Sequence, residues 1–174
     1  MKKLIQMILT GTMIATMSLN AQQDAKNFVQ RYKNQDGFTV LTIGKPAMNM
    51  FSLFVKSGMT SDEDKETLQM FRRTDAIQVL AFNRAYDKAR SESFITEALN
   101  FCDANRYVEL IEMVERDETV RIFGKTEGNA ITGLIVLNRS NREGSAAMIC
   151  LTGKFTAADL QSVNGAQGRK IAGL

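Results

Sequence analysis

Apolar and polar positions alternate in blocks over the C-terminal part of the chain, from Thr119 to Phe155. Three runs rich in branched apolar residues are separated there by two polar, glycine-containing turns. Branched apolar residues favour strands, and short polar segments with glycine favour the tight turns of antiparallel sheets. The pattern therefore predicts a three-stranded antiparallel meander, on which we expect the rest of the chain to pack.

Three further short runs upstream have the composition of strands, which brings the predicted number of strands to six. The third of these runs follows a helical pattern directly and also has features of a helix continuation. The three runs are Phe38 to Ile43, Ala76 to Phe82 and Tyr107 to Val114.

Apolar residues at helical spacing, with capping signals, predict five helices between and around the strands. Ile95, Ala98, Leu99 and Cys102 form the clearest core-facing stripe, in the fourth helix. The helices are expected at Gln22 to Lys33, from Pro46 to Gly58, from Ser61 onward, at Ser91 to Cys102, and from an N-cap at Thr156.

This order of elements predicts the α+β class, with a single domain, a mostly antiparallel sheet, a C-terminal meander and helices packed on it. Ile135 and Val136 illustrate a property of the meander's middle strand, which is apolar in both phases. Such strands are usually central and covered on both faces. The predicted helices suffice for one face, so we expect more helix or a partner on the other.

Residues 1–21 have the three parts of a secretory signal: Lys2 and Lys3, an apolar run, and a short segment that ends at Ala21. The alternative is an uncleaved anchor, but the run is shorter and more polar than the roughly 20 apolar residues that a spanning helix needs. We expect cleavage after Ala21, one α+β domain at residues 22–164 and a loose, glycine-rich tail at residues 165–174. The destination would be the periplasm or envelope, with no membrane span after cleavage and, since no cysteine lies near the cleavage point, no lipid anchor.

Charge and composition narrow the range of functions. The formal charge is +3, and loss of the two leader lysines would lower it by two, to +1. No basic run alternates with aromatic residues, which argues against a nucleic-acid partner. The chain has no histidine, which excludes Ser-His-Asp triads, Cys-His dyads and histidine metal sites. We therefore predict no enzymatic activity, no cofactor and no metal.

An acidic run, Asp62-Glu63-Asp64 with Glu66, is the best cluster for a carboxylate-based enzyme, which we keep as a less favoured alternative. Acidic residues also stabilise the positive end of a helix, and a solvated helix start at Ser61 accounts for the whole run.

Cys102 and Cys150 are the only two cysteines. One lies on the apolar stripe of a predicted helix and the other in a predicted strand, so the two side chains can face each other. In an oxidising compartment this pair either forms a disulfide or remains two buried thiols, and the sequence leaves both readings open.

The order of these elements resembles an exported Bacteroidetes family labelled domain of unknown function 4252. The resemblance lies in a signal that ends in Ala-Gln, a strand followed by GKPAMNMFSLF, the later run DAIQVLAF, and above all the segment CLTGKF that leads into Ala158-Asp159-Leu160. It implies export and a small α+β domain, and it brings no activity and no functional residues with it.

We therefore predict an uncharacterised, non-enzymatic envelope protein that acts as a protein-interaction module, with an envelope protein as partner or a second copy in a homo-oligomer. Met48, Leu53 and Met59 lie outside the main apolar stripe of their segment and form the candidate interaction surface. The alternative is a periplasmic protein that binds a small ligand in an apolar pocket beneath the helices.

Overall fold

A computed structural model describes residues 24–56, 72–83, 87–128, 130–140 and 142–156, with the backbone alone for residues 51–56. The predicted signal peptide, the helix from Ser61, the final helix after Thr156 and the C-terminal tail lie outside the described residues. The domain boundaries that depend on these segments stay predictions.

Six strands form one sheet in which every neighbouring pair is antiparallel, in the order β1-β2-β6-β5-β4-β3. All six predicted strands are present, and their bounds move by only a few residues. The strands are β1 (Phe38–Gly44), β2 (Thr74–Phe82), β3 (Val108–Val114), β4 (Glu118–Glu127), β5 (Ala130–Ser140) and β6 (Ala146–Phe155).

The predicted meander is formed by β4, β5 and β6, and β3 extends it at one edge through another hairpin. The last strand of the meander, β6, then pairs with β2, which places β5 and β6 in the middle of the sheet. The prediction of an α+β fold with a mostly antiparallel sheet and a C-terminal meander is therefore confirmed.

The described helices are α1 (residues 24–30), α2 (Lys45–Lys56) and α3 (Lys88–Ala104). Helix α1 is shorter than predicted, and the chain turns after it, with φ of 70° at Asn34 and 82° at Gly37. Glycine adopts such a positive φ without steric cost, which favours Gly37 at the approach to β1. Asp87 begins α3, since its Oδ1 accepts a hydrogen bond from the backbone N–H of Arg90 at 3.0 Å.

Helices α1 and α3 cover one face of the sheet, which we call the closed face, and enclose the main core against it. Aromatic rings fill the space between the two helices and β1: the ring centroid of Tyr32 lies 4.7 Å from that of Phe38 and 5.5 Å from that of Phe94. The fully buried sheet residues of this core include Leu80, Phe82, Ile135, Leu137 and Met148.

Candidate functional site

The other face of the sheet, which we call the open face, is apolar along its central strands. Along β2 the side chains alternate between buried positions and half-buried ones, and the half-buried set is apolar. Residues that are paired across an antiparallel ladder point to the same side, so the register extends this set onto the neighbouring strands. The central open-face residues are Ile77, Val79, Ile149, Leu151, Leu134 and Val136. Leu134 is buried, with 4% of its surface exposed, and the other five are half-buried.

The apolar character continues to the β3 edge of the open face. Val120 and Ile122 of β4 pair with Met113 and Ile111 of β3. Leu110 is the extra residue of a bulge in β3, and it folds onto the same side, because a Cβ built on Gly124 would lie 2.7 Å from its Cδ1. Leu110 thereby lies over the strand next to β5 and still keeps 42% of its surface exposed.

Few described elements are available to cover this face. Helix α3 packs on β5 and β6 from the closed face. Helix α2 contacts β2 and β1, the two strands at the β1 edge of the sheet. No helix within the described residues packs extensively on the open face of β4, β5 and β6. A sheet face of this composition is normally buried against another layer, which makes it a candidate docking surface.

A cleft of about 540 Å³ adjoins one end of the open face, and we call it the acidic cleft. Its floor includes Ala81, Ala147 and Asn138, which are register partners on neighbouring strands of the open face. Its rim comes from the β3–β4 and β5–β6 turns and carries three carboxylates and one guanidinium: Asp117, Glu118, Glu143 and Arg142. The Glu118 carboxylate accepts a hydrogen bond from Asn138 Nδ2 at 2.5 Å.

The structure describes only part of the predicted interaction surface on α2. It places the first residue of that surface, Met48, inside the fold. Met48 is buried, with 3% of its surface exposed, whereas Met50, two residues further along the same helix, is 62% exposed. Met48 therefore has to be removed from the predicted contact surface. The side chain of Leu53 and all of Met59 lie outside the described residues, so their part of the prediction stays a prediction.

The anchoring of the first turn of α2 explains why Met48 points inward. Lys45 Nζ donates hydrogen bonds to the carbonyl oxygens of Arg72 at 2.8 Å and Thr74 at 2.9 Å, and it lies 3.1 Å from Asp75 Oδ1. Residues three apart share a helix face, so the side of α2 that carries Lys45 and Met48 is held against the start of β2.

Cys102 and Cys150 are both buried in the closed-face core, as free thiols. Burial raises the pKa of the Cys102 thiol to about 12, and burial together with the nearby Cys102 raises the pKa of the Cys150 thiol to about 12. Burial also raises the pKa of Tyr107 above its ordinary value, with smaller contributions from Cys150 and Cys102. The two sulfurs thus share one buried region, and the disulfide stays a prediction.

Thiols that stay protonated in an apolar core do not act as nucleophiles, because the thiolate is the reactive form. Among the described residues no group of three or more His, Cys, Asp or Glu side chains is arranged to hold a metal ion. The acidic run Asp62-Glu63-Asp64 with Glu66 lies outside the described residues.

A cavity of about 190 Å³ lies between α3 and the sheet, where the small-ligand alternative requires a pocket. Its walls combine Ile95, Leu99 and Leu137 with the charged side chains of Glu112, Arg121 and Arg139. Pockets for small ligands usually enclose about 300–1,000 Å³ and are mostly apolar. This cavity is smaller and more charged, so it gives the alternative little support.

A protein-family model described as Domain of unknown function (DUF4252) matches residues 32–163, about three quarters of the chain. The chain belongs to this family. The matched DUF4252 region begins at Tyr32, in the aromatic core, and includes all six strands, so both faces of the sheet lie within it. No curated protein and no solved structure matches the chain significantly. Within the described residues, none of the helices has the length and apolar character needed to span a bilayer.

Proposed function

We propose that this chain is an exported, non-enzymatic protein-interaction domain and that it binds an envelope protein through the open face. The observation that carries the proposal is a sheet face that is apolar on its central strands and has no described helix packed on β4, β5 and β6 there. Docking of a second apolar layer would remove this surface from water, at about 25 cal/mol per Å² of apolar area.

The acidic cleft indicates the chemistry of the partner. Three carboxylates and one guanidinium leave an excess of negative charge at the end of an apolar surface. A segment with an apolar face and a basic end would match both parts of the site, since complementary charge fixes the orientation of a docked segment. We therefore propose that the partner presents an amphipathic segment with lysine or arginine at one end.

Export is part of the proposal and rests on the sequence of residues 1–21. N-terminal sequencing of the protein recovered from the envelope fraction should begin at Gln22. Recovery of the full-length chain from the cytosol would contradict export and, with it, the choice of an envelope partner.

Two valines of the same edge strand offer a matched test of the docking surface. Val108 points to the open face and is 64% exposed, whereas Val114 lies in the opposite phase of β3 and is 68% exposed. Val108→Lys should weaken partner binding at least tenfold, because it places a cation on the apolar surface, and Val114→Lys should leave binding unchanged. Both variants should fold, since neither side chain is buried.

The measurement is in-cell cross-linking with a photoreactive residue at Val79, followed by pull-down, mass spectrometry and binding of the purified partner to both variants. The proposal requires a partner that cross-links from Val79, loses affinity with Val108→Lys, and binds more weakly as salt is raised. Equal binding by both variants would contradict it. A dimer of this chain that dissociates with Val108→Lys would instead make the open face a self-association surface.

A further inference from the structure

A small cavity at the start of α3 is distinct from both the open face and the acidic cleft. It encloses about 60 Å³, against about 30 Å³ for one water in the liquid. The first turn of α3 provides one wall and the β5–β6 hairpin the other. The lining residues are Lys88, Ser91, Glu92, Arg139, Ser140 and Gly144.

Ser91 is the unusual residue of this cavity. It is 1% exposed, and its hydroxyl oxygen has no hydrogen-bond partner among the described residues. A buried hydroxyl without a partner destabilises the folded state, so native proteins normally supply a partner from protein, solvent or ligand. The cavity in front of Ser91 is the place where such a partner can enter.

The surroundings of Ser91 favour an anion. Asp87 satisfies the N–H groups of Arg90 and Ser91, through its side chain and its carbonyl oxygen respectively. Neither bond uses the first two N–H groups of the helix, those of Lys88 and Ala89, and the start of a helix carries partial positive charge. The side chain of the half-buried Arg139 forms no hydrogen bond or ion pair with another described residue.

The hairpin backbone closes the site tightly. Gly144 has φ of 69°, and a Cβ built on it would lie 3.5 Å from the backbone nitrogen of Lys88 and 3.3 Å from its Cγ. The β5–β6 hairpin thus lies in contact with the first residue of α3, and the positive φ at Gly144 is the reason that glycine is favoured there.

Glu92 restricts the kind of anion that fits. Its carboxylate lines the same cavity and can only accept hydrogen bonds when ionised. Sulfate has no proton to donate, whereas phosphate near neutral pH carries at least one hydroxyl group. A protonated phosphate group would accept from Ser91, Arg139 and the helix N–H groups and would donate to Glu92.

We propose that this cavity is a binding site for a phosphate group, held by the Ser91 hydroxyl, the Arg139 guanidinium and the N-terminus of α3. The group is either inorganic phosphate or the phosphoryl end of a small monoester in its singly protonated form. The second pKa of such an ester is about 6, so only the form that still carries a proton makes the same contact with Glu92. The site lies across the hairpin from the acidic cleft and does not depend on the proposed docking of a partner.

The test is a titration of the full mature chain, followed by NMR of the backbone amides at constant ionic strength and neutral pH. Inorganic phosphate should cause saturable shifts at Lys88, Ala89 and Gly144, and sulfate should bind at least about threefold more weakly. Methyl phosphate that binds like phosphate would identify the phosphoryl end of an ester as a ligand, and rejection of methyl phosphate would restrict the site to the free ion.

Variants separate a specific site from general attraction to positive charge. Arg139→Gln should weaken phosphate binding at least about tenfold, since it removes a charge-assisted contact, and Ser91→Ala should weaken it about threefold or more, since it removes a hydrogen bond from a neutral donor. Arg116→Gln removes the same charge from an exposed residue of the β3–β4 turn and should leave the affinity unchanged. Ser91→Ala should also keep its thermal stability without phosphate, because it removes a hydroxyl that has no protein partner.

Shifts that do not saturate, or equal affinities for wild type and Arg139→Gln, would overturn the proposal. Preference for sulfate over phosphate would overturn the role of Glu92. A crystal structure from phosphate solution that shows only water beside Ser91 would identify the cavity as a solvent site and would also overturn it.

Discussion

Within the described residues, the two faces of one sheet differ in the helices that lie over them, although both faces are apolar. On the closed face, α1 and α3 bring aromatic rings against Leu80, Ile135 and Met148, which are almost fully buried. On the open face, Val79 and Ile149 occupy the alternate positions of the same central strands and stay half-buried. The comparison shows that the apolar pattern of a strand face does not by itself reveal which elements cover that face.

The strongest test of the difference between the two faces is to truncate one isoleucine on each face and compare the losses of stability. Ile135 is 0% exposed on the closed face, and Ile149 is half-buried on the open face of the next strand. Ile135→Ala should lower the free energy of unfolding by about 2–5 kcal/mol, because it leaves a cavity in a packed core. Ile149→Ala should cost roughly 1 kcal/mol, since less of its surface is removed from water.

Urea unfolding of both variants checks this difference. Equal losses would mean that the open face is as well covered as the closed face in the isolated protein. A partner that binds the open face should raise the cost of Ile149→Ala when it is added in excess, because binding stabilises the folded state.

Two glycines test whether the tightest contact at a strand is made by backbone or by a side chain that can move. A Cβ on Gly153 would lie 2.2 Å from the carbonyl oxygen of Arg73, whereas a Cβ on Gly124 would lie 2.7 Å from Leu110 Cδ1. Gly153→Ala should cost about 1–3 kcal/mol, since backbone has to move, and Gly124→Ala should cost less than about 1 kcal/mol because Leu110 can turn outward.

Thermal unfolding of the two alanine variants distinguishes these contacts. A small loss for Gly153→Ala would show that the backbone at Arg73 yields easily. A large loss for Gly124→Ala would show that Leu110 is fixed on the open face, and that this side is more tightly packed than we infer.

The third prediction concerns pH and the thiols of the closed face. In the unfolded chain Cys102 and Cys150 lose their protons near pH 9, and in the folded, reduced protein near pH 12. Between these values the unfolded state binds fewer protons, so stability is fully present below pH 9 and falls as pH rises, by up to about 1.4 kcal/mol per pH unit for each thiol.

Urea unfolding with a reductant at pH 8 to 10.5 measures this slope. The double variant Cys102→Ala and Cys150→Ala is the control, and its stability should depend less on pH over this range. An unchanged slope would mean that the thiols do not titrate as buried groups. Without reductant, thiol titration of the unfolded protein tests the predicted disulfide, and two free thiols would contradict it.

Most of the fold could be predicted from local patterns. Six strands and the α3 stripe follow from the spacing of apolar residues, because each element carries its own period. The insertion of β6 between β2 and β5 could not be predicted, since it depends on contacts more than 60 residues apart along the chain. Apolar residues occupy both phases of β5, and this pattern predicts that both faces of the strand are covered.

The candidate site was less predictable, because its parts come from separate turns. The prediction that Met48 lies outside the core is wrong, because the bonds of Lys45 to the start of β2 fix which side of α2 faces inward. The spacing of apolar residues along α2 gives no sign of these bonds. Asp117 and Glu118 lie where β3 turns into β4, and the cleft arises because the β5–β6 hairpin brings Glu143 to the same rim. Arg139 resembled an ordinary surface charge until the fold placed it beside Ser91.

The outer strand β3 restricts how this protein can assemble. A free strand edge is a template for another chain, and repeated addition of strands leads to fibrils. The bulge between Glu109 and Ile111 interrupts the edge of β3, and Glu109 and Glu112 lie along it in ion pairs with Arg121. Strand addition at this edge is therefore disfavoured. A partner that binds the open face, as we propose, would add a layer and not a strand, and the resulting complex would stay finite in size.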